Sequence, residues 1–151
     1  MDNYEKIIKK LTSLEREIER LKVLEAGWSY IPLTTPLTST DFDGDAFSTT
    51  AKTKIDLSDK FGVPAGVKAV EILLYIKDSG SETGTCSVRV SPNDTAWEAP
   101  VSLVLDGVPD DKGRAISGKC PCDANGDIYY QVQASGSGTM DVTIQVWGYW
   151  I

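Results

Sequence analysis

The sequence predicts a mainly β protein: a short N-terminal helix of the parallel coiled-coil kind, followed by an antiparallel β-sandwich of jelly-roll-like type. Three observations predict it. Heptad spacing of apolar residues runs through the first 26 residues and stops there. From residue 54 onward the apolar period is two, the signature of strands with one buried face. The short apolar runs are separated by Gly, Pro and Asp turn signals, as in sandwiches. The expected division is a helix over 1–26, a Thr/Ser-rich neck with edge segments over 27–53, and a sandwich body over 54–151.

In the helix, Tyr4, Ile7, Leu11, Leu14, Ile18 and Leu21 alternate spacings of three and four, forming one seam of a and d positions. Lys10 and Glu17 then fall at g, and Glu15 and Lys22 at e. In a parallel pair these g and e residues meet with opposite signs, which favours parallel association. Ile8 at e and Leu24 at g widen the stripe, and Ile and Leu are mixed at both a and d. Both features favour three strands over two. Equal numbers of acidic and basic residues in this segment leave no basic polar face for a membrane surface.

Gly27 follows the helix as a stop, and Pro32 and Pro36 prevent it from resuming. Short strands are expected near Trp28–Leu33 and Phe47–Leu57. In the body, Val70, Ile72, Leu74 and Ile76 share one face; Cys86, Val88 and Val90 repeat the pattern, as do Val101, Leu103 and Leu105. Ala115–Cys122 is a weaker strand that Pro121 assigns to an edge. Two strong strands, 127–134 and 139–151, are joined by Ser135-Gly-Ser-Gly138 and predict a hairpin. At Trp147-Gly-Tyr-Trp-Ile151 the alternation breaks down and both faces become apolar. A chain end of this kind is held against something, a core or a neighbouring subunit. No second helix is predicted.

The formal charge of −7 resides outside the helix, because acidic and basic residues cancel in 1–26. An acidic body has no phosphate-binding surface, so a nucleic-acid partner is not expected. The chain contains 0 histidines, which removes the commonest general base and the commonest metal ligand. No apolar run reaches the roughly 18 residues of a membrane span. The N-terminus opens on charge and heptads without a signal-peptide core, so synthesis in a cytoplasm is expected. Its 3 cysteines form no disulfide framework, and without Cys-x-x-Cys spacing or histidine they form no zinc set.

Asp41-Phe-Asp-Gly-Asp45 resembles the start of a calcium loop, but Ala46 and Lys52 stand where an EF-hand needs Gly and Glu. Asp123-Ala-Asn-Gly-Asp127 reads first as turn chemistry. No nucleophile elbow, glycine loop or Ser/His/Asp set is present, so neither catalysis nor a cofactor is expected. Trp97, in a loop between Pro92 and Pro100, and Tyr129, on a strand, are the candidate ligand-binding aromatics. Each has the area to stack on a sugar ring.

The heptad segment at Met1–Leu24, the Thr-rich neck, the sandwich pattern, Asp123-Ala-Asn-Gly-Asp-Ile-Tyr-Tyr130 and the ending Ile144-Gln-Val-Trp-Gly-Tyr-Trp-Ile151 together resemble the trimeric appendage proteins of tailed bacteriophages. That family includes tail fibres, head fibres and capsid decorations. The resemblance implies a non-enzymatic homotrimer located on the virion beside other virion proteins, sometimes contacting host-surface glycans. A chain opening directly on heptads fits a head decoration, short fibre or tail-tip protein. Tyr4 to Leu21 are the expected oligomerisation seam, with Trp147, Tyr149 and Trp150 contributing from the body. The alternative is a carbohydrate-binding, lectin-like module working through Trp97 or Tyr129.

Overall fold

The computed structural model describes the backbone of residues 3–25 and 27–151, and the side chains of residues 4–18 and 27–151. Helix α1 spans Asn3–Glu25. The strands follow as β1 (Tyr30–Leu37), β2 (Asp43–Phe47), β3 (Thr53–Ile55), β4 (Ala69–Asp78), β5 (Ser87–Ser91), β6 (Val101–Val104), β7 (Arg114–Pro121), β8 (Ile128–Gln133) and β9 (Met140–Trp150), with helix α2 (Leu57–Phe61) between β3 and β4. They form two antiparallel sheets. The first has the order β1-β9-β4-β7, with β2 also pairing to β9; the second has the order β3-β8-β5-β6.

The period-two residues line the space between the sheets. Val70, Ile72, Leu74 and Ile76 of β4, Val142, Ile144 and Val146 of β9, Val88 and Val90 of β5, and Val101 and Leu103 of β6 belong to one buried cluster. Each large apolar side chain removed from water there contributes about 1.5–3 kcal/mol, which drives the sheets together. Gly118 marks a close approach: a Cβ there would lie 2.8 Å from Val101 of the other sheet. Phe42 closes one margin, 5.9 Å from the Phe61 ring and edge-on to Tyr130 at 5.3 Å.

Two expectations are corrected. The strands β8 and β9 do not form a hairpin. β8 pairs with β3 and β5, while β9 pairs with β1, β2 and β4, so residues 134–139 cross from one sheet to the other. Either arrangement buries the same alternating faces, which is why alternation alone did not distinguish them. Also unexpected is α2, a five-residue helix too short for a periodic signal. Its ends are nevertheless written locally: the Asp56 carboxylate accepts from Asp59 N at 3.0 Å, and Gly62 takes φ 70° as the C-terminal stop.

A β-bulge explains the broken alternation near the C-terminus. Ile72 pairs with Val146 and Glu71 with Gly148, leaving Trp147 as the extra residue on β9. The inward parity therefore changes from Val142, Ile144 and Val146 to Tyr149, which packs against the core.

Gly126 gives a sharp test of this packing. It has φ +91°, and a Cβ would lie 2.7 Å from Gly66 N and 3.0 Å from Val67 N. The Gly66–Val67 backbone it would meet cannot yield as a side-chain tip could. Gly126→Ala should therefore cost roughly 2–4 kcal/mol, read as a lowered urea midpoint with unchanged m-value.

Candidate functional site

The α1 seam is exposed along its described length. Tyr4 is 70% exposed, Ile7 57%, Leu11 51%, Leu14 52% and Ile18 52%, with Ile8 beside them at 47%. Leu21, the last residue of the seam, lies outside the described side chains, as do Lys22 and Leu24. An apolar stripe of this spacing gains nothing in water and is stabilised only by another surface laid along it.

A second apolar surface lies on the outer face of the first sheet, next to the point where the chain leaves α1. Ser29 and Ile151 exchange both backbone hydrogen bonds at 3.1 Å, tying the C-terminus to the start of β1. The Tyr30 and Trp150 rings stack with centroids 4.5 Å apart. The Lys119 ammonium sits 4.8 Å from the Trp150 ring and 5.6 Å from that of Trp28. The Tyr30 hydroxyl donates to Glu71 Oε2, a bond that pushes the phenol pKa above its ordinary value. Tyr30 can lie this close because Gly148 is beneath it; a Cβ at 148 would clash with the Tyr30 hydroxyl and ring edge.

The three C-terminal aromatics thus have three environments. Tyr149 packs inward on the core, Trp150 is half-buried under Lys119 and Tyr30, and Trp147 keeps its indole at the surface, 37% exposed. The body itself holds most of the apolar chain end.

Trp97 is 53% exposed and has a left-handed backbone, φ 69°, uncommon for a bulky residue. Its backbone N–H donates to the buried Gln131 Oε1 at 2.9 Å, and the Arg89 guanidinium lies 4.8 Å from its ring. Lys52 Nζ, bonded to Glu98 O at 2.7 Å, fixes the same loop. Tyr129 is half-buried on β8 between Lys54 and Ser91 in register, so the two candidate aromatics are held by different contacts.

The acidic turns have structural work. Asp41 pairs with Lys60 at 2.8 Å. Asp123 Oδ1 accepts from Asn125 N and Asp127 N at 2.8 and 2.9 Å, an Asx turn before β8. Asp127 binds Lys54 Nζ at 2.6 Å and accepts from Leu57 N at 3.2 Å, fixing the start of α2. Among the described residues no three His, Cys, Asp or Glu side chains are grouped to hold a metal ion. Burial pushes the thiol of Cys86 up to about 11 and those of Cys120 and Cys122 to about 12, so none forms a thiolate near neutral pH. No described helix is long and apolar enough to cross a membrane.

Sequence reasoning missed the meeting of Tyr30, Glu71, Ser117, Lys119 and Trp147. Trp28 and Tyr30 show the period-two signal, but their partners come from β4, β7 and β9, and pairing order is not written in any one segment.

No protein-family model matches the chain, and no curated protein matches it. Among solved structures, the coat protein of tobacco streak virus aligns over 83% of this chain and 84% of its own, with 11% identity and a TM-score of 0.41. An exo-β-1,3-galactanase from Phanerochaete chrysosporium aligns over 83% of this chain but 27% of its own, with 14% identity and a TM-score of 0.29. At these values neither likeness carries functional weight.

Proposed function

We propose that this chain is a non-enzymatic virion structural protein, a homotrimeric fibre or decoration protein displayed on a phage particle, with α1 as a parallel three-stranded coiled coil. The observation that carries the reading is the exposed seam at Tyr4, Ile7, Leu11, Leu14 and Ile18. Complementary e and g charges support the parallel orientation, and mixed Ile and Leu at a and d support three strands.

Strand order supports the body's part in this reading. With β1 and β2 taken as two halves of one interrupted edge strand, the sheet orders β1-β9-β4-β7 and β3-β8-β5-β6 are compatible with a jelly-roll-like reading, an architecture used by capsid and lectin domains. Fold alone does not specify function, so the weight stays on the helix. The non-enzymatic part rests on the absence of histidine, thiols held protonated by burial, and buried carboxylates already engaged by backbone donors and a lysine.

The test is absolute mass in solution by light scattering after size exclusion. Three times the 16.4 kDa chain mass is expected. A monomer across micromolar concentrations would remove the reading's main support.

A further inference from the structure

We propose that the outer face of the first sheet carries a binding groove for a neutral saccharide, with the Trp147 indole as its stacking wall. The groove encloses about 340 Å³ and is lined chiefly by Tyr30, Pro32, Glu71, Leu73, Ser117 and Trp147. That volume lies at the small end of small-molecule sites and suits a mono- or disaccharide.

Each wall is positioned by the fold. The bulge at Trp147 puts its indole on the outer face, and Trp147 Nε1 donates to Gln145 Oε1 at 3.1 Å, fixing the ring and occupying its polar atom. Tyr30, 40% exposed, is held flat by Gly148 below and by Glu71 at its hydroxyl. Glu71 Oε1 and the Ser117 hydroxyl have no protein partner among the described residues, so an acceptor and a donor-acceptor lie between two aromatic walls.

This combination matches a pyranose, whose C–H face stacks on an aromatic ring while its hydroxyls donate to carboxylate and hydroxyl oxygens. A proline-rich peptide also favours aromatic grooves, but its carbonyls need donors, and with the indole N–H already engaged the groove offers them only the Ser117 hydroxyl, beside a carboxylate that a peptide carbonyl cannot satisfy. Charge narrows the class further. The Glu71 carboxylate on the groove wall and the chain's net −7 both repel acidic glycans.

The inference does not depend on trimerisation, so its failure is separable from that of the stalk reading. The full chain is screened on an array of neutral and acidic oligosaccharides, and the tightest binder is titrated in solution by tryptophan fluorescence. A neutral saccharide is expected to bind, and Trp147→Ala to weaken it roughly tenfold or more. Ser117→Trp, which fills the groove without opening a cavity, should abolish binding while leaving the melting temperature unchanged. The Leu11→Asp/Ile18→Asp chain should keep the same affinity per site for the soluble sugar. The proposal is overturned if no saccharide binds, if binding survives both groove variants, if a proline-rich peptide binds instead, or if Trp97→Ala abolishes binding while Trp147→Ala does not.

Discussion

Leu11→Asp together with Ile18→Asp is expected to dissociate the protein to a 16.4 kDa species in light scattering, with the β-sheet circular dichroism of the body unchanged. Both residues are half-exposed in the single chain, so the substitution has nothing to disrupt inside it. In a trimer the same change places six carboxylates along the axis and removes six apolar side chains. At about 1.5–3 kcal/mol each, the lost burial is on the order of 10 kcal/mol before desolvating any charge. An association of that kind does not survive at micromolar concentration. Lys10→Glu with Glu15→Lys should leave the trimer in place, because it exchanges the signs of a g/e pair without losing it. Unchanged mass in the aspartate variant would move the subunit contact to the body.

Asp78→Ala is expected to be the most destabilising single substitution in the body, by roughly 3–5 kcal/mol, lowering the melting temperature by about 10 °C or more. The side chain is fully buried at the end of β4. Its carboxylate accepts from Gly80 N at 2.8 Å, Ser135 N at 3.2 Å, Thr139 Oγ1 at 2.9 Å and the Ser135 hydroxyl. Its backbone carbonyl accepts from Asp111 N at 3.0 Å and Ser81 Oγ at 3.1 Å. One residue thus joins three connections at one end of the sandwich, and alanine would remove the shared acceptor of several part-buried donors. Asp78→Asn keeps one acceptor oxygen but points an NH2 group at donors, so an intermediate loss is expected.

The pH dependence identifies the carboxylate's share. Burial alone would raise the Asp78 pKa, but the bonds from Ser135, Gly80 and Thr139 outweigh it and hold the folded value below the ordinary one. A lowered folded pKa stabilises above the unfolded value and loses that contribution as pH falls through the folded one. The stability gap between wild type and Asp78→Asn should therefore be constant above roughly pH 5 and narrow below roughly pH 4. A gap independent of pH down to 2.5 would mean that the charge contributes nothing.

Legibility in the sequence follows the range of the physics. Val70, Ile72, Leu74 and Ile76 are legible because alternation is a property of one strand and one buried face. The ends of α2 were legible in Asp56 and Gly62, although five residues are too few to show a period. Trp147 was legible as apolar but not as outward-facing, since the bulge that reverses parity depends on how β9 meets Glu71 and Ile72 of β4. Nothing local marks Asp78, because its donors on Ser135 and Thr139 lie 57 and 61 residues away.

By itself the sequence determined the helix and its seam, the mainly β body and the inward faces of its main strands, because these depend on interactions between residues a few positions apart. The tertiary structure alone decided which strands are neighbours, that β8 and β9 belong to different sheets, and that Tyr30, Glu71, Ser117 and Trp147 line one groove. Those outcomes compare the free energies of whole-sheet arrangements that bury the same faces, a choice that no local pattern encodes.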